Sequence, residues 1–249
     1  MKKLKTIICI PARFKSSRFP GKPLVKILGK PMIQWTADIS AKAVGKENVY
    51  IATDNIEIEK TVSRIGYKVI MTSEKCLTGT DRLAEVSKKI KADIYVNVQG
   101  DEPLVNPNDI VKIIDAKKNN PSEVINAFTT IDGDVDPDSV NIPKVVFNED
   151  KILLYMSRKK IPGFKKDEDA PKKYYKQVCI YAFNREELES FAKFGRKSSL
   201  EQSEDIEILR FFELRKNVRL VETEDSSLAV DVPEDVVKIE KVMSDIYNK

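Results

Sequence analysis

Arg13, Lys15, Arg18 and Lys22 put four cations on one loop that also carries Ser16, Ser17, Pro20, Gly21 and Pro23, directly after the run Thr6-Ile7-Ile8-Cys9-Ile10. These residue types suit phosphate: arginines bind it through a planar fork, lysines as point charges, and serine hydroxyls and the glycine backbone add donors. The prolines stiffen the loop, so less order has to be imposed on binding. On charge alone the loop reads equally well as solvated surface. Its position tilts the balance, because a β-branched apolar run without alternation is expected for a strand buried on both faces of a parallel sheet. The carboxyl end of such a strand is a natural ligand crevice.

A second candidate follows another apolar run, Ile94-Tyr95-Val96-Asn97-Val98, which leads into Gln99-Gly100-Asp101-Glu102-Pro103. A carboxylate facing a cationic loop is idle by itself, but with a triphosphate present Asp101 makes sense as a Mg²⁺ ligand. The alternative is an Asp that opens a turn before Pro103. The third is Leu77-Thr78-Gly79-Thr80-Asp81-Arg82-Leu83-Ala84, with Thr80 read as a helix N-cap that aims free N–H groups and Arg82 at an anion. Neither Gly-x-Gly-x-x-Gly nor Gly-x-x-x-x-Gly-Lys-Ser/Thr follows the first strand, so dehydrogenase and P-loop chemistry lose their main support.

The elements that must position these residues alternate through the first half. Helices are expected over 31–44, from Asn55 to Gly66, over 80–91 and around 108–118, with strands at 49–53, 68–71, 94–98 and 124–130. This rhythm predicts a doubly wound α/β sheet with right-handed crossovers. From about 131 it breaks into short strands near 144–147, 152–155 and 178–183, with a Lys/Asp-rich stretch at 163–173 read as a mobile loop. Helices near 201–216 and 234–247 close the chain. The expected division is a nucleotide-binding core over 1–130, a smaller mixed region over 131–185, and a C-terminal part over 186–249 that completes the core.

Composition narrows the classes of function. The 249 residues are 41% hydrophobic, enough for a sizeable core, and 43 cations against 39 anions leave a formal charge of +4. That balance argues against a nucleic-acid coat and for an anionic small molecule. Cys9, Cys76 and Cys179 are odd in number and far apart, which indicates neither a disulfide framework nor a zinc site. No signal peptide or membrane-length apolar run is visible, so a cytoplasmic protein is expected. There is no histidine, and with it goes the usual base at neutral pH.

Taken together, Pro11 to Leu24, Thr78 to Glu85, Val96 to Pro103, Ser157-Arg158 with Ile161-Pro162, and Val230-Asp231-Val232-Pro233-Glu234-Asp235 resemble the bacterial 3-deoxy-manno-octulosonate (Kdo) cytidylyltransferases, in family order along nearly the whole chain. The resemblance implies a nucleotidyltransferase fold of the GT-A-like, Rossmann type with a mixed, mostly parallel sheet. It also implies an enzyme that joins CTP and an ulosonic acid to give a CMP-sugar and pyrophosphate for lipopolysaccharide or capsular polysaccharide. By the same resemblance Pro11, Ala12, Arg13, Ser16, Lys22, Arg82, Gln99 and Asp101 face the nucleotide. Arg18 and Lys22 steady the leaving pyrophosphate, and Asp101 and Asp231 ligate magnesium. The sugar pocket would draw on Gln99, Arg158, Gln177, Tyr181 and an acidic helix with Glu201, Glu204 and Glu207. Each glutamate is either a ligand contact or the solvated face of a helix whose apolar stripe is Ile206, Leu209, Phe211 and Phe212. A homodimer built on the smaller region is implied as well.

Two stretches depart from the family. Gln177-Val178-Cys179 stands where these enzymes usually carry His-Leu-Gly, and Cys76-Leu77-Thr78-Gly79-Thr80 where they carry His-x-Ser-Gly-Thr. A glutamine hydrogen-bonds a hydroxyl but carries no positive charge toward a carboxylate. The acceptor therefore stays open between Kdo, 8-amino-Kdo and another nonulosonic acid. A different nucleotidylyltransferase, and a glycosyltransferase or non-catalytic nucleotide binder on the same sheet, remain as alternatives.

Overall fold

The computed structural model describes residues 4–16, 18–132, 135–224 and 228–247; Ser17 of the basic loop lies outside the described residues. The opening apolar run forms β1 (Thr6–Ala12). Ile7 and Cys9 enter one buried core, and Ile8, Ile10 and Ala12 the core on the opposite face, which is why the run does not alternate. A small hairpin, β2 (Lys26–Ile27) and β3 (Lys30–Pro31), leads into α1 (Met32–Val44), which starts one residue after Pro31. There follow β4 (Val49–Thr53), α2 (Ile56–Arg64), β5 (Lys68–Met71), α3 (Gly79–Lys89), β6 (Ile94–Val98), α4 (Pro107–Asn119) and β7 (Val124–Thr130). Asn55 caps α2 as expected, accepting from the backbone N–H groups of Glu57 and Ile58.

The second half adds β8 (Lys144–Phe147), β9 (Leu153–Ser157), β10 (Tyr175–Phe183), α5 (Arg185–Lys193), α6 (Ser199–Glu204), α7 (Arg210–Glu213), β11 (Val218–Glu222) and α8 (Pro233–Tyr247). The main sheet runs β11-β7-β10-β6-β1-β4-β5, with β8 and β9 branching from β10. β4, β1, β6 and β5 are parallel, as are β11 and β7, while β10 is antiparallel to both of its neighbours, β6 and β7. The mixed, mostly parallel sheet is therefore present. β10, grouped by the sequence with the smaller region, sits inside the main sheet and fastens that region to it. A satellite core of Ile27, Met32, Val230, Ile239 and Met243 docks α8 against the β2–β3 hairpin.

Several local expectations need correction. Thr78, not Thr80, caps α3: its hydroxyl accepts from the Asp81 N–H and the Asp81 carboxylate accepts from the Thr78 N–H, a complete capping box. The helix expected over 201–216 is broken, because α6 ends at Asp205 in the left-handed region (φ 51°) before a 3₁₀ turn, Glu207–Leu209, and α7. Stretch 163–173 is exposed along almost its whole length around a 3₁₀ turn, Asp167–Asp169. Both α5 and β11 were missed. Among the described residues, no helix is long and apolar enough to cross a membrane.

Candidate active site

A cleft opens at the carboxyl ends of β1 and β6. One cavity of about 540 Å³ is lined by Pro11, Ala12, Arg13, Ser16, Arg18, Lys22, Gly79, Arg82, Gln99, Asp101, Arg158 and Asp231. An adjoining cavity of about 390 Å³ shares Arg13, Arg18, Gln99, Asp101, Arg158 and Asp231 and adds Gln177, Cys179, Tyr181, Glu201 and Glu207. Of the described residues singled out for the nucleotide, the sugar or the metal, Glu204 lies off these walls, and so does Lys15 of the basic loop, which is exposed and pairs with Glu74.

The basic loop turns back on itself through Gly21, whose φ of 71° suits glycine, and whose N–H donates to the Phe14 carbonyl at 2.9 Å. This aims Lys22 inward. Its Nζ lies 2.6 Å from Asp101 Oδ2, 2.9 Å from the Val230 carbonyl and 3.8 Å from Asp231 Oδ1. Arg18 Nη2 is 2.9 Å from the same Asp231 oxygen. Asp101 and Asp231, 130 residues apart in sequence, meet because the Val230 N–H donates to the Asp101 carbonyl at 2.9 Å and the Val230 side chain is fully buried. The Asp235 carboxylate then accepts from the N–H groups of Asp231 and Val232, setting the turn into α8. Arg13 stays exposed, and the Ser16 hydroxyl accepts from the Phe19 N–H at 3.3 Å.

Arg82 is buried. Its guanidinium donates to Thr72, to the Ser73 carbonyl and, at 2.5 Å, to the Asp54 carboxylate, so it reaches the cavity with its charge already matched. Gln99 is oriented by Glu207. One Glu207 oxygen accepts from the Thr80 N–H at 2.9 Å and the other from Gln99 Nε2 at 3.3 Å. An ionised carboxylate only accepts, so the Gln99 amide nitrogen must face Glu207 and its Oε1 is left for the cavity. Burial raises the Glu207 carboxyl above the usual carboxylate range, against the lowering effect of its hydrogen bonds from Thr80 and Thr78. Gly79 leaves little room here: a Cβ on it would come within 3.1 Å of Gln99 Nε2 and of the Pro11 ring.

On the other wall, the Arg158 guanidinium donates to four main-chain carbonyls, those of Glu204, Val140, Asn141 and Asp205. These neutral acceptors fix its plane without cancelling its charge, which suits an incoming carboxylate. Glu204 supports it from behind, accepting from the Ser157 hydroxyl at 2.8 Å, from Tyr155 and from the Arg158 N–H. Lys144, buried and missed by the sequence reading, donates to the carbonyls of Ser139 and Arg158 and so ties the same loop together. Glu201 is also buried. Its carboxylate pairs through both oxygens with Arg210, whose guanidinium reaches Asp81 as well. None of the three glutamates forms the solvated helix face that periodicity allowed.

Gln177 donates from Nε2 to Asn126 Oδ1 at 3.0 Å, and Asn126 in turn donates to the Val178 and Ile180 carbonyls, filling the register shift of β10 against β7 between Val178 and Tyr181. Nothing in the local pattern around Asn126 announces this role. Enclosure by protein, reinforced by the carboxylates of Glu102, Asp101 and Glu207, pushes the Cys179 thiol well above its ordinary value. Burial does the same to the Tyr181 hydroxyl. Burial and Glu85 push Cys76 up to about 12, and burial raises Cys9. No thiol is activated as a nucleophile.

Among the described residues, no cluster of three or more His, Cys, Asp or Glu side chains is placed to hold a metal. Two carboxylates completed by phosphate oxygens are nevertheless the hard-oxygen set that magnesium takes alongside a nucleotide, and Asp101 with Asp231 fits it.

Comparison with known proteins agrees with this geometry. A family model described as cytidylyltransferase matches residues 7–219. The chain is 37% identical over 240 residues to a 3-deoxy-manno-octulosonate cytidylyltransferase of Escherichia coli, covering 96% of each chain. It is 39% identical over 245 residues to an 8-amino-3,8-dideoxy-manno-octulosonate cytidylyltransferase of Shewanella sp. (strain W3-18-1), covering 96% of this chain and 98% of that one. A solved structure of CMP:2-keto-3-deoxy-manno-octonic acid synthetase complexed with CTP matches with a TM-score of 0.89 at 38% identity, over 97% of this chain and 99% of that one.

Proposed function

The chain belongs to the cytidylyltransferase family, and within it we propose that it transfers CMP from CTP to the anomeric hydroxyl of a 3-deoxy-ulosonic acid and releases pyrophosphate. The carrying observation is that the basic loop after β1 and the carboxylates of Asp101 and Asp231 converge on one cleft, in a chain that matches a CTP-bound synthetase nearly end to end.

In the reaction the sugar hydroxyl oxygen bonds to the α-phosphorus, the bond to the pyrophosphate oxygen breaks, and the hydroxyl proton leaves to solvent. Arg13, Ser16, Arg18 and Lys22 bind the triphosphate, and Arg18 and Lys22 stabilise the charge that builds on pyrophosphate. Arg158 holds the acceptor carboxylate, and Gln99 Oε1 accepts from a ligand hydroxyl. Their fixed geometry supplies the in-line approach. Asp101 and Asp231 would hold Mg²⁺ together with the triphosphate, and the chemistry it supplies when bound is Lewis acidity at phosphate and hydroxyl oxygens. The chain has no histidine, and its cysteines and Tyr181 are held in their neutral forms, so we assign no covalent intermediate to the protein.

The relatives use either a Kdo or an 8-amino-Kdo acceptor at nearly equal identity to this chain, so the acceptor is separated by assay. Pyrophosphate release with CTP, Mg²⁺ and Kdo is the expected result. Release only with 8-amino-Kdo or N-acetylneuraminate would move the assignment to that acid. Release with no acid, or with other nucleoside triphosphates alone, would overturn it. Asp101→Ala and Asp231→Ala are each expected to lower turnover sharply with modest change in CTP binding; near-normal turnover in both would remove the metal from the reading. We further propose that the product serves lipopolysaccharide or capsular polysaccharide synthesis in the cytoplasm. For the homodimer, the strand face carrying exposed Leu154 is the proposed contact, which sedimentation of Leu154→Lys tests.

A further inference from the structure

Lys22 makes contacts that phosphate binding does not require. Its ammonium touches both carboxylates of the proposed metal pair and the Val230 carbonyl between them, at 2.6, 3.8 and 2.9 Å. The side chain is only 15% exposed, less than Asp101 at 28% or Asp231 at 36%. An ammonium has three protons, and here it faces three oxygens. It therefore stands in the position a small hard cation would take. A lysine suits this better than an arginine, because its charge is compact and its stem can swing.

We propose that Lys22 is an exchangeable counter-ion, occupying the Asp101–Asp231 pair in the nucleotide-free enzyme and yielding it to a divalent cation when a triphosphate draws the ammonium away. This rests on the metal reading given under the proposed function. Two half-buried carboxylates facing one cleft repel each other unless cations offset them; Arg18 at 2.9 Å serves Asp231 alone, and the Lys22 ammonium is the charge shared by both. A divalent ion arriving alone must displace a half-buried lysine that would then have no anion to bind. With a triphosphate present, Lys22 gains phosphate oxygens as new partners, and those same oxygens complete the metal's coordination. Metal and nucleotide then bind cooperatively, and by linkage each raises the affinity for the other by the same factor.

The test uses Mn²⁺ as probe, with free Mn²⁺ followed by electron paramagnetic resonance, on the full chain without substrate turnover. Wild type should bind Mn²⁺ weakly alone and more tightly with CTP. Lys22→Met and Lys22→Gln should each bind Mn²⁺ without nucleotide tighter than wild type by about tenfold or more, the scale of typical coupling energies. The gain should vanish in Lys22→Met/Asp101→Asn. Mn²⁺ alone should also raise the melting temperature of the Lys22 variants and leave that of wild type nearly unchanged, which reports on the folded protein directly. Equal nucleotide-free affinity in wild type and both variants overturns the counter-ion role while leaving the metal reading standing. Failure of CTP-loaded wild type to recruit Mn²⁺, or recruitment that survives Asp101→Asn/Asp231→Asn, overturns the metal reading and the inference with it.

Discussion

Arg210 is fully buried and bridges two carboxylates, so its removal tests whether the wall of the cleft is held as the geometry says. Its Nε and Nη2 lie 2.7 and 2.6 Å from the two oxygens of Glu201, its Nη1 lies 2.9 Å from Asp81, and the guanidinium stacks 3.7 Å from the Phe191 ring centroid. Glu201 and Asp81 are each the third residue of a capping box, with Ser198 and Thr78 respectively. One guanidinium thus joins the starts of α6 and α3. In Arg210→Met, Glu201 keeps the Ser198 N–H but is left as a buried charge without a counter-charge, and breaking such a pair costs about 3–5 kcal/mol.

Urea unfolding of Arg210→Met should therefore show a loss of about 3–5 kcal/mol relative to wild type. Arg210→Met/Glu201→Met should recover most of the loss at pH 7, since apolar replacement of both partners is often nearly neutral. A penalty below about 1 kcal/mol, or one that the second substitution does not rescue, would refute the account.

Glu207→Gln lets the amide of residue 207 donate toward Gln99 and so reverses which Gln99 atom faces the cleft. The Michaelis constant for the acceptor should rise several-fold while the melting temperature holds. Because burial raises the folded-state value of Glu207, its contribution to stability declines as pH rises above the ordinary carboxyl range, and the variant's stability should vary less with pH there on urea titration. Gly79→Ala meets no positive φ, but its Cβ crowds Gln99 and Pro11 at 3.1 Å; the expected outcome is weaker CTP binding by calorimetry with a melting temperature within about 4 °C of wild type, the shift that about 1 kcal/mol produces. Lys117 is 1% exposed and pairs with the equally buried Glu187, and burial lowers its pKa; Lys117→Met should cost about 3–5 kcal/mol in urea unfolding and leave acceptor selectivity unchanged.

What could be read from the sequence follows from how local the cause was. β4, β5, β6, β7 and β8 fall at the expected bounds, because short β-branched or apolar runs between turn residues have few other fates. The end of the helix before β6 and the cap of α3 were misjudged although the signal was present: Thr78 with Asp81 three residues on is a capping box, and Thr80 is not. Asn184 with Glu187 is the same signal at the start of the missed α5. The break at Asp205 was not visible, since the apolar stripe continues across it; the groups that hold that corner, Arg158 on the Asp205 carbonyl and Lys197 on its carboxylate, include one distant in sequence. Nor could local pattern place β10 antiparallel between two parallel strands, or show that Asn126 would sit behind Gln177. Those are consequences of pairing across the whole sheet.

Under the proposed function the cleft divides into a nucleotide half and an acceptor half built on different principles, and this bears on acceptor choice. The nucleotide half hangs from the ends of parallel strands and presents cations and carboxylates whose partners are one another, so a charged ligand can exchange with them. In the acceptor half most polar groups are already committed within the protein: Gln177 to Asn126, Glu204 to Ser157 and Arg158, Glu207 to Thr80 and Gln99. Such groups lend shape and little direct affinity, because recruiting them to a ligand would strand a buried partner. Discrimination between a hydroxyl and an ammonium on the acceptor therefore falls to the few atoms left uncommitted, the Arg158 charge and the carbonyl oxygens of Gln99 and Gln177. An amide oxygen accepts from either group, so Gln177, its nitrogen already given to Asn126, does not by itself reject either acid.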